Sequence, residues 1–417
     1  MHPILSRAAL AAATLALAHG AAAQNCYDND SQCHSFAPEG GEASRIETGI
    51  SLRSKTFTVT GDVRFRYRGD DSKASHPYVD GDQMTSRARI QLTWQATEHA
   101  KAFVEFTYAE TWNGSESYSD ALAKGSTANP DADGVNFNGI GQAWIQAEDM
   151  LGVGDTWRIG RSTYILGNGL ILGSCDYLQY PDTFTGAWVS RKLGPVDVEA
   201  FVFDDDGPLQ SPRPATRFWG ATARWNVQDD GPVRSVSGYY MAGTSDGDNT
   251  TGAYSDDSWY GIEAKGKLPA QLAWNGEWAQ RQVDSAADVQ AFRVGVTRAF
   301  EDSPVGKVSL SYSDSEGAMH VNPADFNSAG LLHQYGGAWR SDLDTIQLGA
   351  QFLPGEDFTI DLNLIAMDRD GTAPQLGEFE VDVIVGKQLK SGVHASVAYG
   401  ADDEDRQVAF VQLTLFF

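Results

Sequence analysis

Arginine recurs at every second position in FTVTGDVRFRYR, residues 57–68, and again in MTSRARIQLTWQA, residues 84–96. If both stretches are strands, Arg64, Arg66 and Arg68, then Arg87 and Arg89, each project from one face, because strand side chains alternate. A guanidinium is permanently charged and presents a planar fork of N–H donors that matches carboxylate and phosphate groups. Two such rows make a surface for anions. The opposite faces are apolar: Phe57, Val59, Val63, Phe65 and Tyr67 in the first stretch, Met84, Ala88, Ile90, Leu92 and Trp94 in the second. One face prefers hydrocarbon and the other water or anions, and the rest of the chain decides what each meets.

Other constellations carry less. GVHASVAYG sets His394 and Ser396 two residues apart, on one strand face, but Val393, Ala395 and Val397 form the apolar side, so the pair turns inward. A serine nucleophile also needs an orienting partner and oxyanion donors, and no motif supplies them. The other histidines lack metal-ligand spacing, and no glycine-rich phosphate loop is present. The acidic stretches GDDSKASHPYVDGD, TSDGDNTTGAYSDDS and GADDEDR lack the ligand order of a calcium hand and read as solvated loops. No catalytic, cofactor-binding or metal site is expected, and the chain does not read as an enzyme.

The elements that position the arginines repeat the same two-faced pattern. VDVEAFVF sets Val196, Val198, Ala200 and Val202 against Asp197 and Glu199, and FTIDLNLIA sets Phe358, Ile360, Leu362 and Leu364 against Thr359, Asp361 and Asn363. Helical periodicity is nearly absent, so the chain is all-β. Connectors alternate in length. Short ones fall near residues 97–100, 192–195, 228–232, 267–270, 301–304, 353–356 and 389–392. Longer polar ones fall at 70–82, 113–137, 164–182, 204–215, 244–257, 314–340 and 367–375. Such alternation predicts an antiparallel transmembrane β-barrel of about 18 strands, with short turns at one end and long loops at the other. A closed barrel satisfies every backbone hydrogen bond between strands, which lets an all-β chain stand in lipid. The chain ends FVQLTLFF, with Val411, Leu413, Leu415 and Phe417 alternating up to a terminal aromatic, as in the strand that the bacterial barrel assembly machinery reads. Tyr67, Trp94, Tyr108, Trp112, Trp157, Trp225 and Trp278 are expected in the interfacial girdles.

The opening MHPILSRAALAAATLALAHGAAAQ has Arg7, a short apolar run and small residues at Ala21 to Ala23, which predicts a signal peptide over residues 1–23. Residues 24–55 are expected as a periplasmic tail and 56–417 as an outer-membrane barrel. Export makes a bridge between Cys26 and Cys33 plausible, leaving Cys175 structural. No stretch reaches the roughly 20 apolar residues of a spanning helix. A formal net charge of -25 argues against nucleic acid as a partner.

The stretch IGRSTYILGNGLILGSCDYLQYPDTFTGAWVSRKLGPVDVEAFVF, residues 159–203, resembles the alginate export porins. The likeness lies in Gly160 with Arg161, Gly167 or Gly169, Leu172 with Gly173, and Phe184, Gly186 and Ala187. Ser162 stands where that family commonly has Gln, and Thr185 where it commonly has Asp. The resemblance implies an 18-stranded channel of the bacterial outer membrane that exports an anionic polysaccharide such as alginate through an arginine-lined lumen. The expected path is Arg64, Arg66, Arg68, Arg87, Arg89, Arg161, Arg224 and Arg293. The competing reading pairs these with luminal acids, Asp62, Glu105, Asp197, Glu199, Glu263, Glu277, Glu380 and Asp382, in a structural ladder. A general or sugar-uptake porin, and a non-transporting structural or adhesin barrel, are the alternatives. Outer-membrane lipid and lipopolysaccharide, and either acidic polysaccharide or small hydrophilic solutes, are the expected partners.

Overall fold

The computed structural model describes residues 57–70, 83–112, 137–173, 183–204, 216–227, 231–245, 256–283, 287–300, 303–316, 330–331, 342–355, 357–369, 377–404 and 406–417. The expected signal peptide, the tail at 24–55, the three cysteines and most of the first two acidic stretches lie outside the described residues.

Eighteen strands follow in chain order. The first nine are β1 (Phe57–Asp70), β2 (Gln83–Thr97), β3 (Ala100–Thr111), β4 (Phe137–Glu148), β5 (Asp155–Ser162), β6 (Phe184–Leu193), β7 (Val196–Asp204), β8 (Thr216–Asn226) and β9 (Val233–Ser245). The second nine are β10 (Ser258–Leu268), β11 (Leu272–Gln282), β12 (Val289–Ala299), β13 (Val305–Ser315), β14 (Leu343–Gly355), β15 (Phe358–Arg369), β16 (Phe379–Gln388), β17 (Val393–Asp402) and β18 (Gln407–Phe416). Each pairs antiparallel with its neighbours in sequence, and β18 pairs with β1. The sheet is thus closed and has no free edge.

Burial alternates as the sequence pattern requires. Arg64 is 3% exposed while the adjacent Phe65 is 48% exposed. In β18, Val408, Phe410, Gln412 and Thr414 are buried, whereas Val411, Leu413 and Leu415 are exposed. The outer surface is a band of exposed apolar side chains, the arrangement that lipid stabilises. Trp94, Trp157 and Trp225 sit near the short-turn ends of their strands, and Tyr67, Tyr108 and Trp112 near the long-loop end. Trp278 lies between the two belts, opposite Ile262 and Phe292.

The seam is specific. Gly61 and Phe417 exchange backbone hydrogen bonds at 2.9 and 3.0 Å. A Cβ at Gly61 would lie 2.6 Å from the Phe417 ring, so the glycine leaves the notch in which the terminal aromatic rests.

Two connectors differ from expectation. GADDEDR is not a long loop: its first three residues end β17, and only four residues, 403–406, separate it from β18. Asp402 holds that connection, accepting from Arg406 Nε at 2.6 Å and from the Arg406 and Glu404 N–H groups at 3.0 Å each. The other difference is the segment after β5, which turns back into the barrel.

Candidate functional site: two walls of one bore

The five arginines of β1 and β2 all face inward. Arg64 stands directly opposite Arg87, and Asp62 opposite Arg89. Like charges directly opposed across a ladder repel, and Asp62 offsets this from one residue pair away. Its carboxylate accepts from Arg89 Nε at 2.6 Å and from Arg87 at 3.4 Å. Arg66 Nε donates to the Gln412 side chain at 2.9 Å, and the Arg68 guanidinium lies 5.6 Å from the Phe410 ring centroid. Partners on β1 and β18 therefore hold guanidinium groups in a row along the wall.

In a ring of eighteen strands, β10 and β11 stand across the bore from β1 and β2. That side is built differently. Residues 164–173, expected within the outer connector 164–182, fold inward and bury Leu166, Ile171 and Leu172 completely. They meet inward aromatics from successive strands: Phe184 and Trp188 on β6, Phe201 and Phe203 on β7, Phe218 on β8, Tyr239 on β9 and Trp259 on β10. The rings touch in sequence, with centroids 4.9 Å apart for Phe184 and Phe203, 6.0 Å for Phe203 and Phe218, and 6.0 Å for Phe218 and Trp259. Burying each of the three aliphatic side chains stabilises the docked position by about 1.5–3 kcal/mol.

The loop tip is fixed by one carboxylate. Glu277 on β11 accepts from the Asn168 N–H at 3.2 Å and from the Tyr239 hydroxyl at 2.7 Å. Gly167 has φ +61°, and a Cβ there would come within 2.3 Å of the Glu277 carboxylate, so the tip requires glycine both for its backbone and for its approach. A second inward contact repeats the chemistry: the Leu331 N–H, between β13 and β14, donates to Asp382 on β16 at 3.2 Å.

The remaining sequence-predicted residues divide. Arg224 faces the bore, with Nε 3.3 Å from Ser237 Oγ and the guanidinium 3.9 Å from Glu263. Arg293 faces it too, opposite Glu277. Arg161 does not. It shares its face with Ile159, which is 53% exposed, and stands opposite Ala143 and Thr185 on the outer surface. Its Nε donates to Thr185 Oγ1 at 3.2 Å. The alternation that turns Ile159 outward carries Arg161 with it. Of the acids, Asp62 and Glu263 meet arginines. Glu105, Asp197, Glu199, Glu277 and Asp382 accept hydrogen bonds from amides, hydroxyls or backbone N–H groups, and Glu277 also stands opposite Arg293. His394 and Ser396 are buried on the inner face, and no hydrogen bond reaches Ser396 Oγ among the described residues.

The alginate export family matches residues 54–328. The chain belongs to that family. Of the residues that carry its resemblance, Gly160 and Arg161 lie in β5 and Phe184, Gly186 and Ala187 in β6, while Gly167 is at the tip of the docked loop and Leu172 within the aromatic core. No curated protein matches the chain. Among solved structures, the fold is similar to OpdK of Pseudomonas aeruginosa, at 13% identity and a TM-score of 0.61, over 88% of this chain and 100% of that one. It is similar also to OccK2 (OpdF) of the same organism, solved in complex with glucuronate, at 12% identity and 0.60, over 87% and 96%. A BenF-like porin from Pseudomonas fluorescens Pf-5 gives 13% and 0.59, over 87% and 98%. The protein is an outer-membrane porin channel of the bacterial envelope.

Sequence reasoning missed the inward aromatics and three residues at the short-turn half of the bore, Lys101, Trp144 and Arg158. Parity was the available signal. Phe201 and Phe203 share the face of Glu199, and Arg158, not Arg161, alternates with Ile159.

Proposed function

We propose that the channel conducts hydrophilic solutes by diffusion and favours acidic ones, with Arg64, Arg66, Arg68, Arg87 and Arg89 as its anion-attracting wall. Arg224 and Arg293 add positive charge further along the bore. The observation that carries this reading is five inward arginines on two adjacent strands of a closed barrel. Fixed charges lining a pore lower the barrier for counter-ions and raise it for co-ions. Export of an acidic polysaccharide such as alginate is one form of this activity, and uptake of small acidic sugars is the other. The loop docked inside the bore favours small solutes over a polymer, and the similar OccK2 was solved with glucuronate. Lipid and lipopolysaccharide contact the apolar outer band, and the barrel assembly machinery reads the strand ending at Phe417.

Planar-bilayer recording under a salt gradient tests this. The native channel is expected to show a reversal potential of anion-preferring sign, which collapses towards zero when Arg64, Arg66, Arg87 and Arg89 are all changed to Ala. Cation preference unaltered by those changes would make the arginines structural and the protein a general porin. Absence of conductance would make it a non-transporting barrel.

A further inference from the structure

Two further cations stand on the inner wall, away from the arginine rows. Lys101 on β3, Gln146 on β4 and Arg158 on β5 are direct partners across adjacent strands. All three face the bore, since Ile145 and Ile159, beside Gln146 and Arg158 in their strands, are exposed on the outer surface. The Arg158 guanidinium lies 4.3 Å from the Trp144 ring centroid and 5.4 Å from that of Trp188. The Lys101 ammonium lies 5.8 Å from the same Trp144 ring. Phe103 stacks on Trp144 at 5.0 Å with an interplanar angle of 15°, which fixes the indole. The Gln146 carbonyl oxygen accepts from Arg158 Nε at 3.3 Å and from a terminal nitrogen at 2.9 Å. Arg158 is thus flanked by two indoles and fixed along one edge before any ligand arrives.

Among the described residues no carboxylate is in hydrogen-bond or ion-pair contact with either cation, and the contacts of Arg158 and Lys101 are all with neutral side chains. Glu199 acts on Arg158 at longer range, while its carboxylate accepts from the Tyr164 hydroxyl at 2.6 Å and makes no ion pair with the guanidinium. Two positive charges beside one indole repel each other, and an anion between them relieves that repulsion. A planar guanidinium with free donors binds a carboxylate through charge-assisted hydrogen bonds, and its prior fixation reduces the entropy lost on binding.

We propose that Lys101, Gln146 and Arg158 form a binding station for one carboxylate, carried by a small acidic solute or by one acidic unit of a chain, in the short-turn half of the bore. This rests on the reading that acidic solutes traverse the channel. The station is distinct from the arginine rows: Lys101 lies six residues along β3 from Thr107, the partner of Arg89. That is about 20 Å at the rise of a strand. An acidic solute passing along this side of the barrel meets two separated sites and not one continuous strip.

Calorimetric titration of the detergent-solubilised full chain with galacturonate, and with its neutral methyl ester, reads the station without requiring conductance. Galacturonate is expected to bind a saturable site that persists in the four-arginine variant, and the ester is not. Arg158→Gln and Lys101→Gln are each expected to weaken binding about tenfold or more, the effect of losing one charge-assisted hydrogen bond. Heat-modifiable gel mobility checks that each variant is a folded barrel, and Lys101→Gln, at a partly exposed residue, decides if Arg158→Gln does not fold. Absence of saturable binding to the native chain, loss of it in the four-arginine variant, or equal affinity in the folded variants overturns the station. Binding without anion preference in bilayers would retain the station and defeat the wider reading, while anion preference without binding would defeat the station alone.

Discussion

From β6 to β10 the inner wall is aromatic and carries a loop packed on it, whereas across the bore β1 and β2 carry five arginines, of which Asp62 holds Arg87 and Arg89 and Gln412 holds Arg66. Burial is short-ranged and tolerates little displacement in a close-packed interior, so the aromatic wall determines the shape of the bore. Coulombic attraction reaches further through water and is screened by salt, so the arginine wall acts on a solute before contact. The two sides should therefore fail separately when altered.

The largest effect is expected from changing Leu166 and Leu172 together to Asp. An unpaired carboxylate in that aromatic core costs several kcal/mol, comparable with the burial that docks the loop. The loop then leaves the wall, and single-channel conductance rises about twofold or more while anion preference stays. Gly167→Val acts at the loop tip alone, where a Cβ collides with the Glu277 carboxylate. With the strain of a β-branched residue at positive φ, about 1–3 kcal/mol, it should give a smaller rise with more current noise. On the other wall, Asp62→Asn removes the acid that Arg87 and Arg89 share. Thermal unfolding followed by gel mobility should show a loss of about 1–3 kcal/mol, and the reversal potential should shift further towards the anion limit. The smallest equilibrium effect is expected from Phe417→Ala, which empties the Gly61 notch at the seam. The ring would contribute about 1.5–3 kcal/mol if fully buried and contributes less here, where it is partly exposed, so slower insertion of the barrel into lipid vesicles is the more sensitive readout.

The barrel was legible in the chain because its cause is local. In β18 the alternation of Val411, Leu413 and Leu415 with Phe410, Gln412 and Thr414 needs no distant contact to be read. The docked loop has a non-local cause. Its leucines acquire a partner only because β6 to β10 bring Trp188, Phe203, Phe218 and Trp259 onto one concave surface. Its composition held a sign of this nonetheless: Tyr164, Leu166, Leu170, Ile171 and Leu172 are too apolar for a segment left in water. The exchange of Arg161 for Arg158 has another origin. The family motif drew attention to the Gly160–Arg161 pair, while the alternation through Ile159 assigns the bore to Arg158. The grip of Trp144, Trp188 and Gln146 on that side chain depends on registers across three strand pairs, which single-strand alternation does not contain.

The division between the two walls is tested most directly by the reversal potential under a salt gradient, recorded side by side for the Leu166→Asp/Leu172→Asp channel and for the four-arginine channel. Anion preference retained in the first and lost in the second is the predicted result. Loss of preference in the loop variant, with retention in the arginine variant, would contradict it and assign selectivity to the docked loop.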